Sequence, residues 1–164
     1  MRVIQISDTH LSPGKTHFLD NWPPLARWIA EQQPDLVIHT GDVTVDGAGV
    51  EEDLRHAAGL MRELEVPFRA VPGNHDVGNP GDRHQPVDAE RLGRWRSHFG
   101  ADRWIEDVEN WRLIGFDAML IGRQFSTSSI QRSAPKWLRQ RRPVVEEMRL
   151  ARAQMRVRDL DYPH

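Results

Sequence analysis

Short apolar runs alternate with amphipathic stretches along the first part of the chain. Short runs of apolar residues predict strands at 3–6, 36–40 and 67–71. The stretches 22–33 and 51–64 place apolar residues three and four positions apart and predict helices. Strands that alternate with helices form βαβ units with a parallel sheet. This part of the chain therefore predicts a βαβαβ arrangement of the α/β class.

The pattern changes after the third strand. Asp88 can cap a helix whose apolar face runs to Phe99. Residues 104–108 and 111–116 then predict two strands that follow each other closely. The second strand of the chain, 36–40, is nearly all apolar, which predicts burial on both faces, as in parallel sheets.

Polar clusters follow each of the three strands. They are Asp8-Thr9-His10, Gly41-Asp42 and Gly73-Asn74-His75-Asp76. Parallel strands end at the same edge of a sheet, where α/β proteins bind ligands, so we expect the clusters to meet in space. Asp8 and His10 are two residues apart and point the same way if their segment is extended. Gly41 lets the backbone turn, so that the Asp42 carboxylate projects beyond its strand.

The donor atoms of these clusters indicate a metal site. One imidazole, two carboxylates and the amide oxygen of Asn74 suit Mn, Fe or Zn better than Ca or Cu. Two ions about 3.5–4 Å apart would stabilise the attacking and leaving oxygens of a phosphoryl displacement. A water that bridges them would be acidic enough to attack near neutral pH. His75 is interpreted as a further ligand or a proton donor, and Asp76 as the group that orients it.

The ordered series D-x-H, G-D-x-x-x-D-G and G-N-H-D resembles the calcineurin-like metallophosphoesterases, and the flanking residues resemble their bacterial cyclic-nucleotide phosphodiesterase branch. The resemblance covers residues 1–122 and implies a two-sheet α/β sandwich that begins with the βαβαβ part. It implies hydrolysis of phosphomonoesters or phosphodiesters at a dinuclear site. The implied ligands are Asp8, His10 and Asp42 for the first metal and Asp42 and Asn74 for the second, with His75 as the catalytic histidine.

Residues 123–164 depart from the family pattern. The family completes its site with a later histidine and a G-H-x-H pair, whereas His164 is the only histidine after Gly122. Residues 1–122 hold 12 Lys and Arg against 20 Asp and Glu, and residues 123–164 hold 10 against 4. We therefore expect an incomplete domain at 1–122, followed by a basic tail with a helix at about 143–158. The hypothesis is a truncated or frame-shifted phosphoesterase of impaired activity.

The composition of the chain indicates its cellular location and the class of partner that it binds. Hydrophobic residues make up 38% and charged residues 28% of the chain, which is typical of a globular protein. There is no apolar run of about 20 residues for a membrane span and no visible signal peptide, so we expect a cytoplasmic protein. Zero cysteines exclude disulfides and thiolate-bound metal. The expected partner is a small phosphate ester, and the oligomeric state stays open.

Two alternatives remain beside the enzyme hypothesis. The first is a non-catalytic metal-binding remnant that contacts a partner through its basic tail. Nucleic acid is not expected as this partner, because the tail offers only Trp137 and Tyr162 for stacking on bases. The second alternative is a chain that does not fold stably alone.

Near the motifs, Asp46 and Gly47 are interpreted as turn residues and His39 as a hydrogen-bonded core histidine.

Overall fold

A computed structural model describes residues 1–120 of the chain. The predicted boundary at residue 122, the basic tail 123–164 and its helix at about 143–158 lie outside the described residues and stay predictions. Within residues 1–120, no helix is long and apolar enough to cross a membrane.

Strands and helices alternate through most of the described chain. In order they are β1 (Val3–Ile6), a 3₁₀ turn (Thr16–Asn21), α1 (Trp22–Gln32), β2 (Leu36–His39), α2 (Glu51–Arg62), β3 (Phe68–Ala70), α3 (Asn74–Val77), α4 (Ala89–Phe99), β4 (Trp104–Val108) and β5 (Trp111–Gly115). The predicted strands and long helices are confirmed, and their ends lie within two residues of the expected ones. The 3₁₀ turn and the four-residue helix α3 are too short to produce a periodic pattern.

The first three strands form a parallel sheet in the order β1-β2-β3. In this register Ile6 of β1 and Ala70 of β3 both face His39 of the central strand. Leu36, Val37 and His39 of β2 are buried, which confirms that the central strand is covered on both faces. The α/β class with a parallel sheet and flanking helices is therefore confirmed.

Helices pack on this sheet through the apolar faces that their sequences predict. Prolines occupy the first turn of α1, where their missing N–H is not needed. Asp88 caps α4, since its side chain accepts a hydrogen bond from the Arg91 N–H at 2.9 Å. The main core cluster contains Ile4, Ile6, Leu11, Trp22, Ile29, Val37, Val43, Leu54, Ala57, Met61, Ala70, Val77, Val87, Leu92 and Trp95.

The loops that leave β1 and β2 continue side by side beyond the sheet. Backbone hydrogen bonds join Asp8 N–H to Gly41 O at 3.1 Å and His10 N–H to Asp42 O at 3.1 Å. A third joins Leu11 N–H to the Val43 carbonyl at 2.8 Å. The first motif (Asp8-Thr9-His10) and the second motif (Gly41-Asp42) are therefore joined by main-chain hydrogen bonds alone.

The last two strands form a separate antiparallel hairpin, β4–β5. Its contact with the parallel sheet is made at β3, where Trp104 Nε1 donates to Ala70 O at 2.8 Å. A second contact pairs Arg69 Nε with Glu106 at 2.8 Å. The hairpin is thus attached to the edge strand of the sheet by side chains.

Candidate metal centre

The structure brings residues of all three motifs together at the carboxyl edge of the parallel sheet. His10, Asp42 and His75 each offer a ligand atom, and these atoms lie within 4.8 Å of one another. Asp8 is close by, with its Oδ1 at 4.0 Å from His10 Nε2. The expected convergence of three distant sequence segments is therefore seen, and it follows from the parallel order of β1, β2 and β3.

The backbone at the first and second motifs differs from the expectation of an extended segment. Asp8, His10 and Asp42 have φ values of 56°, 46° and 53°, in the left-handed region. Asp and His are enriched in that region among non-glycine residues, but each such residue still costs roughly 1–3 kcal/mol. The expectation that spacing along an extended strand aligns Asp8 with His10 is therefore wrong. The Asp8 carboxylate lies outside the cluster formed by His10, Asp42 and His75.

Two glycines allow the second and third motifs to come into contact. Gly41 has a φ of 117°, which confirms the turn expected before Asp42. A Cβ on Gly41 would lie 3.0 Å from the Cα of Gly73. A Cβ on Gly73 would in turn overlap the Asp42 carboxylate. Gly41 and Gly73 therefore allow Asp42 to lie close to the start of α3.

His75 is held by hydrogen bonds at both its backbone and its ring. Its N–H donates to Asp42 Oδ1 at 3.1 Å, which joins two of the clustered residues directly. Its ring Nδ1 donates to the carbonyl of Val45 at 2.7 Å. The ring then meets that of His10 edge to face, with centroids 4.6 Å apart. Since Nδ1 is engaged, Nε2 is the ring nitrogen left for chemistry.

Asp76 was expected to orient His75, and its carboxylate lies elsewhere. The side chain is fully buried and accepts from the N–H groups of Val43, Thr44 and Gly73 and from Thr44 Oγ1. Burial raises the pKa of this carboxyl, and the four hydrogen bonds oppose that shift. Asp76 therefore connects the second and third motif loops, while Val45 orients the ring of His75.

His39 is buried at the end of β2 and is fully hydrogen-bonded, as expected. Its Nδ1 accepts from the Gly41 N–H at 3.3 Å, and its Nε2 lies 2.9 Å from Thr9 Oγ1. Burial lowers its pKa to about 4, a shift that the charge of Asp8 opposes. The ring is therefore neutral near pH 7 and carries its proton on Nε2.

Asp46 belongs to the loop rather than to the ligand cluster. Its carboxylate accepts from Lys15 Nζ at 3.1 Å and from Gln85 Nε2 at 2.9 Å. Burial raises the pKa of Asp46, but these hydrogen bonds outweigh it and the net shift is downward. The backbone N–H of Asp46 donates to buried Asp53 at 3.0 Å. These contacts agree with its interpretation as a residue that shapes the turn.

A sequence model of the calcineurin-like phosphoesterase family matches residues 1–148. The chain belongs to this family. Calcineurin-like phosphoesterases are metal-dependent hydrolases. His10, Asp42 and His75, which the structure gathers at the sheet edge, are three of the five residues that the motif resemblance implied. The match extends past residue 122, and the domain boundary there stays a prediction.

Bacterial phosphodiesterases of this family are among the similar proteins. The chain is 33% identical over 149 residues to a probable glycerophosphodiester phosphodiesterase, GpdQ, of Arcobacter nitrofigilis, with 80% of this chain and 49% of the relative covered. It is 29% identical over 133 residues to a 3′,5′-cyclic adenosine monophosphate phosphodiesterase, CpdA, of Pseudomonas aeruginosa, with 73% and 42% covered. The chain thus spans about half the length of these relatives.

One solved structure with a similar backbone is a purple acid phosphatase from yellow lupin seeds. The TM-score is 0.48 at 16% identity, with 70% of this chain and 23% of the phosphatase covered.

The residues at the sheet edge of this calcineurin-like phosphoesterase fit a divalent metal ion. Imidazole and carboxylate groups are ligands of Mn, Fe and Zn, and the ligand atoms of His10, Asp42 and His75 lie within 4.8 Å of one another. Asn74 begins α3 directly after Gly73, which contacts the Asp42 carboxylate. The role of its amide as a metal ligand stays a prediction.

Sequence reasoning missed several residues that build this site. The carbonyl of Val45, the hydroxyl of Thr44 and the carboxylate of Asp53 are all hydrogen-bonding partners in the loops. A main-chain carbonyl carries no side-chain signal. Asp53 could have been noticed, because it is an acidic residue on the apolar face of α2, where its burial requires partners. Its second oxygen accepts from Ser12 Oγ at 2.7 Å.

Proposed function

We propose that the chain carries the metal- and phosphate-binding part of a phosphodiesterase, in which Asp8, His10, Asp42 and Asn74 hold the metal ions. The observation that carries this proposal is the convergence of His10, Asp42 and His75 within 4.8 Å at the sheet edge. The names of the two bacterial relatives, both phosphodiesterases, favour a diester over a monoester substrate. The expected metals are Mn, Fe or Zn, in a dinuclear arrangement.

The chemistry that bound divalent ions supply in such a site is a water acidified for attack and compensation of the charge on the phosphate. Hydrolysis forms a bond from the water oxygen to phosphorus and breaks the bond from phosphorus to the leaving oxygen. That leaving oxygen needs a proton. We propose that the doubly protonated ring of His75 donates it from Nε2, because the N–H of Nδ1 is already donated to the Val45 carbonyl; the ring is left neutral with its proton on Nδ1.

The position of His75 also fits a second role. Its ring lies close enough to His10 and Asp42 to act as a further ligand. The two roles differ in what removal of the imidazole does. A proton donor can be lost without loss of metal, whereas a ligand cannot.

The test combines metal binding with turnover. We expect calorimetry to show one or two Mn²⁺ per chain, with binding at least tenfold weaker in Asp42→Asn, because a direct ligand is lost. His75→Gln should keep binding within about threefold and lower the hydrolysis of a chromogenic phosphodiester by about 10²-fold, the usual size of a lost acid. Asp107→Asn, on the exposed face of the hairpin, is the matched control for the loss of a carboxylate.

We expect turnover of this chain to be weak, because a G-H-x-H segment is absent from its sequence. Metal binding is therefore the measurement that decides the proposal. Wild-type protein that binds no Mn²⁺, or Asp42→Asn protein that binds it equally well, would refute the proposal. Binding lost in His75→Gln would assign that residue as a ligand instead of the proton donor.

A further inference from the structure

Two polar groups outside the ligand set connect the turns that carry it. His39 and Thr9 are hydrogen-bonded at 2.9 Å across a sequence distance of 30 residues. Thr9 lies between Asp8 and His10, and His39 ends the central strand three residues before Asp42. Neither side chain belongs to the group that offers ligand atoms.

The direction of each hydrogen bond follows from the donors and acceptors available. The Gly41 N–H donates to His39 Nδ1 at 3.3 Å, so the neutral ring carries its proton on Nε2. Nε2 then donates to Thr9 Oγ1, and the Thr9 hydroxyl donates to the Val43 carbonyl at 3.1 Å. Each donor in this series of three hydrogen bonds has one acceptor, which is what a buried polar network requires.

Each end of the network is adjacent to a residue of the ligand cluster. Gly41 and Val43 flank Asp42, and Thr9 is flanked by Asp8 and His10. These three flanked residues are the ones held in the left-handed backbone region near the site. Such conformations persist only where the surroundings over-determine them. His39 is fully buried, which shields its ring from water, and Thr9 is half-buried.

The geometry points to His39 and Thr9 as positioning residues that fix the first-motif turn against the second and thereby preorganise Asp8, His10 and Asp42 for metal binding. This inference rests on the proposed metal-binding function. Groups that orient metal ligands from behind typically change metal affinity by 10–100-fold when they are removed. Here the orientation acts through the backbone of two turns, so we expect an effect at the lower end.

A pair of substitutions at Thr9 tests the role of the hydroxyl. Thr9→Val keeps the shape of the side chain and removes the hydroxyl, whereas Thr9→Ser keeps the hydroxyl and removes a methyl group. We expect Mn²⁺ binding, measured by calorimetry, to weaken about tenfold in Thr9→Val and to stay within about twofold in Thr9→Ser. Thermal unfolding of both variants checks that the fold is retained. The EPR spectrum of bound Mn²⁺ should change in Thr9→Val alone.

Coupling between the two residues gives a second measurement. If His39 acts through Thr9, adding Thr9→Val to His39→Leu weakens Mn²⁺ binding by less than twofold beyond His39→Leu itself. Nitrogen NMR of the metal-free wild type should show the ring of His39 protonated on Nε2. Ordinary Mn²⁺ affinity in Thr9→Val, or a ring protonated on Nδ1, overturns the inference while the metal site stands. A wild type that binds no Mn²⁺ overturns both.

Discussion

The three loops at the carboxyl ends of β1, β2 and β3 and the β4–β5 hairpin are stabilised in different ways. In the strand-end loops, buried polar side chains accept hydrogen bonds from backbone N–H groups: Asp76 from Thr44 of another loop, and His39 from Gly41 of its own loop. In the hairpin, the partners Ile105 and Ile114 are 65% and 60% exposed. Trp111 is 72% exposed.

The contrast shows where tertiary structure has to specify a conformation. The hairpin needs few tertiary contacts beyond those of Trp104 and Glu106 with β3, because its two strands pair in one antiparallel ladder. The strand-end loops hold three residues in a costly left-handed conformation close to one another. Such a region depends on its network, so we expect it to respond strongly to the loss of one polar group, and the hairpin to respond weakly.

The largest expected effect is at Asp76. Asp76→Ala leaves the N–H groups of Val43, Thr44 and Gly73 buried without their acceptor. Each unsatisfied group costs roughly 1–3 kcal/mol, so we expect a loss of about 3–5 kcal/mol in the free energy of unfolding by urea. Asp107→Ala removes a carboxylate that is exposed beside Arg112 and should leave the midpoint unchanged. Equal losses in the two variants would remove the contrast between the regions.

A smaller effect is expected from adding one methyl group at Gly73. Its φ of −102° admits alanine, so the cost of Gly73→Ala is steric and comes from overlap with Asp42. We expect a loss of roughly 1–3 kcal/mol in stability, together with weaker Mn²⁺ binding. Gly93→Ala, in α4, meets no atom within 4 Å and should stabilise the protein by about 0.5–1 kcal/mol. A Gly73→Ala protein as stable as wild type would show that the loops can separate.

The smallest effects are expected for the two tryptophans of the hairpin. Trp111→Thr replaces an exposed ring with another strand-forming residue, so stability should change by less than about 0.5 kcal/mol. Trp104→Phe removes the hydrogen bond from Nε1 to the Ala70 carbonyl and should cost about 1 kcal/mol. Thermal unfolding of both variants measures the difference. A larger loss in Trp111→Thr would mean that the exposed face of the hairpin contributes to folding.

Periodicity predicted the elements, and the order of the motifs predicted their meeting place. The helix from Trp22 and the strand from Leu36 were predicted because each pattern is local in the chain. The same reasoning could not give the left-handed turns at Asp8 and His10, since a D-x-H spacing is compatible with several backbone conformations. The predicted ligand roles of Asp8, His10, Asp42 and Asn74 stay predictions, as does the catalytic role of His75. The carboxylate of Asp76, expected to orient His75, instead accepts hydrogen bonds from the loops.

By itself, the sequence determined the α/β class, the family and the edge of the sheet at which the motifs gather. These properties depend on residue types at short spacing, which a linear pattern records. Only the tertiary structure decided which groups hold the motifs in place: Val45 for the ring of His75, Asp76 for the second-motif loop, and His39 for Thr9. Each of these contacts joins residues about 30 positions apart, and it exists only because parallel strands place their following loops side by side.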